Sequence, residues 1–350
     1  MTLYYAGFNG SPMFSHGDTV ITITEKFTKI TFQGITGLEI GWNYFLLWRD
    51  TNLYITEMAS GDDSSTKKEL QLLEIPEDSS WCKRAVAGKE YVVILSSRND
   101  VWRYNIYERL WRKVQNFIPT NEDSEPEYTI EISHGGSTVV ALTNLVIYVL
   151  GRIFNIPMLA NVPKRVKFVD VACGFDHTIL LTDNGEIYSM GMGTRGQLGH
   201  GDLEDCDNPK IIEALAGLKV VQISAAGWHS AVVTDQGDLY TWGWNTIGEL
   251  GIDTEDTKIF ATPTIVDFKD GLGEILDSTV KKVQCGNVFT ICLLDNGSLW
   301  GAGSNKYGQL GQSRNELISS KIFVKLKIDF DEKSVRDIKC HEWGSLVSTD

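Results

Sequence analysis

Residues 224–251 read SAAGWHSAVVTDQGDLYTWGWNTIGELG, a stretch dense in glycine and tryptophan that also carries a histidine, two aspartates and several hydroxyls. Such a set could be one catalytic site or one unit of a repeated architecture. Residues 171–199, VACGFDHTILLTDNGEIYSMGMGTRGQLG, decide for the second. Aligned without a gap, Gly174 falls opposite Ala226, His177 opposite His229, and Gly185 and Gly191 opposite Gly237 and Gly243. A third copy at 283–311 keeps Gly286, Gly297 and Gly308 but has Phe289 in place of the histidine.

Weaker copies lie upstream at 40–55, 87–104 and 134–151, and a half-copy, KCHEWGSLVSTD, closes the chain at 339–350. The positions equivalent to Gly174 are 41, 88, 135, 174, 226, 286 and 341. Fixed-order self-similarity at spacings of 39 to 60 residues marks a propeller or solenoid. Within a unit, HTILLT and EIYSMG are short β-branched or aromatic runs joined by D-N-G, and HSAVVT and DLYTWG are joined by D-Q-G, the turn chemistry of hairpins. KKELQLLEI at 67–75 is the nearest approach to a helix.

The two ends decide between an open array and a ring. Thr349–Asp350 align with Thr182–Asp183, just before the hairpin turn, while LYYAGFN at 3–9 matches LYTWGWN at 239–245, just after it. The first residues therefore supply the half that the last unit lacks. The expectation is an all-β, seven-bladed β-propeller closed by pairing of the N- and C-terminal strands, a single domain over 1–350. Degenerate repeats occupy 1–160 and well-defined repeats 166–312, and the last blade, 321–350, is completed by 1–14.

Bulk properties fit this reading. Hydrophobic residues make up 42% of the 350 and charged residues 22%, an ordinary globular balance. The formal charge of −14 repels a phosphate backbone, so no direct DNA binding is expected and basic partners are favoured. The six cysteines include no C-x-x-C pair, so zinc-knuckle spacing is absent and no metal is expected. The N-terminal decamer has no basic region followed by an apolar run, and no apolar stretch reaches membrane-spanning length. A soluble protein of a reducing, intracellular compartment, monomeric when isolated, is the reading.

The unit resembles the repeat of the regulator of chromosome condensation family, whose fold is a seven-bladed propeller. The carrying residues are G-x-x-H-T at 174–178, G-W-H-S at 227–230, and G-Q-L-G at 196–199 and 308–311. Within the family, GDLYTWGWN and residues 196–218 look most like the small, tail-less members that associate with a Jumonji-C 2-oxoglutarate oxygenase. That resemblance implies a non-enzymatic interaction platform in chromatin regulation and chromosome segregation. It would sit on chromosomes in the nucleus, with a cytoplasmic pool and histone association as further expectations. The founding member exchanges nucleotide on a small GTPase and docks on nucleosomes through a basic tail, whereas residues 1–25 here contain no Lys or Arg. Exchange activity stays open as the alternative, with the insertion at 253–279 as the segment long enough to project. A WD-repeat propeller is the other fold reading, set aside because Trp-Asp dipeptides at blade ends are missing.

Each conspicuous residue has a structural reading. His177 and His229 occupy one repeat position, where Tyr44, Tyr91 and Phe289 also stand, so they are expected to satisfy buried groups rather than catalyse. Gly185, Gly237 and Gly297 sit in turns that need positive φ. G-M-G-T-R-G at 191–196 has dinucleotide-loop spacing but no following helix, so no cofactor is expected. The ten tryptophans are read as blade packing rather than a light sensor; Cys173, Cys285 and Cys340 share a position and are read as small core residues; the acidic runs at 60–65, 76–80 and 121–127 are read as solvated loops. No catalytic residue is assigned. The one candidate modified residue is Arg152, in YVLGRIFNIPML at 148–159, read as a connector ahead of the fourth unit. The family resemblance marks it as a hydroxylation substrate of the oxygenase.

Overall fold

The computed structural model describes residues 2–8, 15–16, 19–30, 34–41, 44–56, 70–76, 81–114, 128–136, 138–144, 147–150, 158–160, 166–254, 257–328, 330 and 334–350. Seven four-stranded antiparallel sheets follow one another along the chain, each numbered here as a blade. Blade four shows the pattern, from the ring axis outward: Phe168–Cys173, His177–Thr182, Ile187–Gly191 and Cys206–Ile211. Blade five runs Val220–Ala226, His229–Thr234, Leu239–Trp244, Ile259–Val266, and blade six Val280–Gly286, Phe289–Leu294, Leu299–Ser304, Ser319–Lys325. Blades one, two and three begin at Gly37–Ile40, Cys82–Ala87 and Thr129–Gly135.

The second strand of a blade is buried on both faces. His177–Thr182, His229–Thr234 and Phe289–Leu294 are buried at every position, which is why they read as continuous apolar runs rather than alternating ones. Seven hydrophobic clusters hold the molecule, and each joins two consecutive blades. The seventh contains Leu3, Tyr5 and Leu346 of the last blade with Leu38, Ile40, Phe45 and Leu47 of the first, so the array is a closed ring. Closure leaves few unpaired strand edges.

The last blade is built from both ends of the chain, in the order Val335–His341, Gly344–Thr349, Thr2–Phe8, Ile23–Lys29. Thr2 pairs with Thr349 and Gly7 with Gly344. Its fourth strand lies beyond residue 14, and Ser319–Lys325 ends blade six instead of opening the last blade. Outer strands lack the recurring glycines of the inner ones, so the repeat does not fix their bounds in the sequence. Leu70–Leu72 is likewise the outer strand of blade one and not helix; helix among the described residues is limited to the 3-10 turn Glu213–Leu215. None of it is long and apolar enough to cross a membrane.

Candidate interaction face

Antiparallel order puts two kinds of connection at the same end of every blade: the turn between strands one and two, and the loop between strands three and four. In blades one, four and six the strand one–two turn is governed by a steric pairing of a glycine with a ring three residues later. An added Cβ on Gly41, Gly174 or Gly286 would overlap the ring of Tyr44, His177 or Phe289 respectively. Gly191, Gly243 and Gly303 end the third strands at φ 109°, 105° and 92°. A Cβ on each would press on the backbone carbonyl of Asp176, Trp228 or Val288 in the neighbouring turn. Only glycine satisfies both conditions there.

The histidines sit beneath this end as links between blades. His177 Nε2 is 2.8 Å from Ser230 Oγ in the next blade, and Ser230 Oγ donates to Gln197 O at 3.3 Å. Its proton thus committed, Ser230 accepts from the Nε2–H of His177. The same step recurs at His229, 2.9 Å from Thr290 Oγ1, which donates to Glu249 O at 2.6 Å. In blade one Tyr44 replaces the histidine, and its hydroxyl donates to Gly88 O of blade two at 2.8 Å. Burial pushes both histidines down to about 3, so each stays neutral across the physiological range. Neither meets a nucleophile and carboxylate in one cavity. Gly185, Gly237 and Gly297 lie at the opposite end, in hairpin turns at φ 80–89°. Gly308, at φ 78°, packs on Glu25 of the last blade's outer strand, beside the ion pair of Glu25 with Arg314 at 2.7 Å. That bond holds Glu25 below the usual carboxylate range.

The cysteines follow the same logic. Cys173 and Cys285 are buried, Cys340 is partly so, and burial raises all three thiols, which disfavours the reactive thiolate. Among the described residues no group of three or more His, Cys, Asp or Glu side chains could hold a metal ion.

The face itself presents partly exposed rings. Phe175 and Trp228, from turns of adjacent blades, meet edge to face with centroids 5.2 Å apart. Arg195, in the strand three–four loop of blade four, lies over Trp228 at 4.0 Å and near Trp244 at 5.5 Å. Further round, Tyr307 contacts Trp343 and Phe8 at 5.4 and 5.8 Å. A guanidinium stacked on indole with partly exposed aromatics beside it is the composition of interface anchors. Nothing in the sequence marks these rings as neighbours, although each lies in a loop that the repeat fixes in space.

The ring axis is a channel lined by the first strands. Arg84 pairs with Glu131 at 3.0 Å, and Lys282 with Asp337 and Lys339 with Glu39 form further ion pairs. Gln222 bridges to blade six by accepting from Val283 N at 3.0 Å and donating to Val283 O at 3.3 Å. A cavity of about 360 Å³ occupies the channel.

Arg152 lies outside the described residues. The strands flanking it, Ile147–Leu150 and Met158–Ala160, are neighbours in blade three, so its segment connects two strands of one blade and is not an inter-blade connector. Within the insertion at 253–279, Ile259–Val266 is a blade strand, followed by a tight hairpin bridged at Lys269 and Ile275.

Comparison with known proteins places the repeats. The regulator of chromosome condensation (RCC1) repeat matches residues 184–233 and 236–293 in one form and 168–197, 220–248 and 280–309 in another. The human E3 ubiquitin-protein ligase HERC2 is 40% identical over 153 residues, 43% of this chain and 3% of that protein. Human RCC1 domain-containing protein 1 is 32% identical over 221 residues, 55% of this chain and 58% of the relative. The chain thus spans little more than half of one of these relatives and a small fraction of the other. The crystal structure of human WBSCR16 superposes with a TM-score of 0.79 at 16% identity, covering 100% of both chains, a likeness of fold.

Proposed function

We propose that this chain, whose residues 168–309 match the RCC1 repeat, is a non-enzymatic platform that binds protein partners on the face bearing Arg195 and Trp228. The observation that carries the reading is the guanidinium of Arg195 stacked on Trp228 beside Phe175 and Trp244. The conspicuous histidines beneath it are spent on holding blades together. On this reading the chain works on chromosomes in the nucleus, in chromatin regulation and chromosome segregation. Its partner is a Jumonji-C 2-oxoglutarate oxygenase, which hydroxylates Arg152. The resemblance of GDLYTWGWN and residues 196–218 to the tail-less family members motivates this setting. So does the acidic net charge for basic, histone-like company.

Affinity purification with mass spectrometry should compare the wild-type chain with an Arg195→Ala/Trp228→Ala variant of unchanged melting temperature. Loss of the oxygenase from the variant is expected, and equal recovery from both would refute the assignment of the face. Separately, incubation with the oxygenase, Fe(II) and 2-oxoglutarate should add one oxygen atom at Arg152 and none to an Arg152→Lys variant.

Nucleotide exchange on a small GTPase is the second reading, and one observation favours it. Leu272 is 89% exposed at the tip of a hairpin held by Asp270, whose Oδ1 accepts from Leu272 N at 2.8 Å and Glu274 N at 3.0 Å. Accelerated nucleotide release, abolished by Leu272→Asp, would favour exchange over the platform.

A further inference from the structure

The turn of the last blade departs from the repeat. Where blade five has Gly227 at φ 49°, this turn has Glu342 at φ 30°, a left-handed backbone that a side chain adopts only at a cost in strain. Where blades four and six have Gly174 and Gly286, it has His341. Both side chains line the end of the channel cavity together with His134 and Asn287.

Two acceptor atoms gathered there have nothing to accept, beside the unpartnered amide Nδ2 of Asn287. Glu342 Oε2 and His341 Nδ1 are buried and without hydrogen-bond partners. Burial pushes the His341 ring down to about 4, so the imidazole is neutral and offers one nitrogen as a lone-pair acceptor. His134 lies against Gly88, close enough that a Cβ there would meet Nε2 at 2.8 Å, and the fields of the two imidazoles reach each other. His177 and His229 also have an unpartnered Nδ1, but they are sealed between blades, whereas His341 borders a cavity of about 360 Å³.

We propose that this end of the channel is a binding site for the ammonium of a lysine side chain, presented by a partner that docks on the same face. Glu342 supplies the charge and His341 Nδ1 a second acceptor. The cavity volume lies in the range of small-ligand sites, and an acidic protein steers a cation toward it. A compact ammonium with three rotatable donors suits two separate acceptors better than a planar guanidinium, which needs a matching fork. The proposal rests on the platform reading for the partner's approach, but a small probe tests it without any partner, so the two can fail separately.

Ionisation gives the site a second signature. Burial raises the Glu342 carboxyl to about 7, against the lowering field of Lys89. The other titratable groups facing it lie outside that range: His134 and His341 are pushed down to about 4, and Tyr44 is raised well above its ordinary value. Ammonium binding requires the carboxylate, so affinity should rise about tenfold from pH 6 to pH 8.

The test uses the full chain and Nα-acetyl-lysine amide, with the arginine and norleucine analogues as comparisons, followed by NMR of the histidine ring protons. Saturable shifts at His134 and His341 are expected with the lysine probe and not with norleucine, while His177 and His229 stay fixed as internal reporters of folding. Glu342→Gln should weaken binding at least tenfold and flatten its pH dependence, and Lys89→Met should shift that dependence to higher pH. Equal shifts from lysine and norleucine probes, or an affinity unchanged in Glu342→Gln, would overturn the site. Tighter binding of the arginine probe would overturn the choice of ammonium.

Discussion

Replacing His177 with phenylalanine should produce a variant whose rank in stability reverses with pH. The substitution copies blade six, where Phe289 lies over Gly286 as His177 lies over Gly174, so the ring is accommodated. What is lost is the bond from His177 Nε2 to Ser230 Oγ at 2.8 Å, worth about 0.5–1.5 kcal/mol net. Ser230 keeps its own bond to Gln197 O. What is gained is removal of the buried, unpartnered Nδ1, which returns on the order of 1 kcal/mol. Near pH 7.5 the variant should therefore lie within about 1 kcal/mol of wild type. His177→Ala should cost about 2–4 kcal/mol through the cavity it opens.

Below pH 6.5 the balance shifts. His177 in the folded protein is held down to about 3 by burial, with the field of His229 adding to it, while in the unfolded chain it protonates near 6.5. A group whose folded value is depressed in this way binds more protons when unfolded. Its stabilisation is present above the unfolded value and is lost as pH falls toward the folded one. At pH 5 the loss is about 2 kcal/mol for this one residue. Phenylalanine does not titrate, so His177→Phe should overtake wild type by roughly 1–2 kcal/mol at pH 5. Urea denaturation followed by tryptophan fluorescence at pH 7.5 and 5.0 measures both values. The same difference between variant and wild type at the two pH values would refute the buried, neutral histidine and with it the structural role.

Removing residues 1–14 should strip the last blade of Thr2–Phe8 and leave Ile23–Lys29 without its neighbour. A loss of several kcal/mol and aggregation through the exposed edge are expected, and an unchanged melting temperature would contradict ring closure. Gly243→Ala places a Cβ against the backbone of Trp228 at φ 105°, whereas Gly217→Ala, at φ 85°, meets nothing within 4 Å. The first should cost several kcal/mol and the second about 1 kcal/mol, as read by thermal denaturation. With a net charge of −14, affinity for duplex DNA at physiological salt should be weaker than ~10⁻⁴ to 10⁻⁶ M. A micromolar shift in a mobility assay would show a basic patch that composition conceals.

The parts of this molecule that the sequence made legible are those in which one physical constraint recurs. A glycine must clear the ring three residues later, and that ring, or one that substitutes for it, must reach the next blade. Hence Gly174 with His177, Gly286 with Phe289 and Gly41 with Tyr44 were readable as one position. The closing pair of end strands was readable because Thr2–Phe8 carries the same markers as Leu239–Trp244. Ile23–Lys29 was not, because an outer strand needs only backbone pairing and half-burial, which many sequences provide. The channel was hidden for a different reason: Arg84 with Glu131, and Lys339 with Glu39, are pairs that only ring closure brings together. Yet the end of the channel did leave a trace. His341 and Glu342 stand where the repeat has glycine, and Glu342 accepts a backbone conformation that glycine takes at Gly227. In a fold whose repeated residues are committed to holding blades together, the positions free to acquire a ligand are those where the repeat is broken at a cost. Glu342 is such a position, and it faces the cavity.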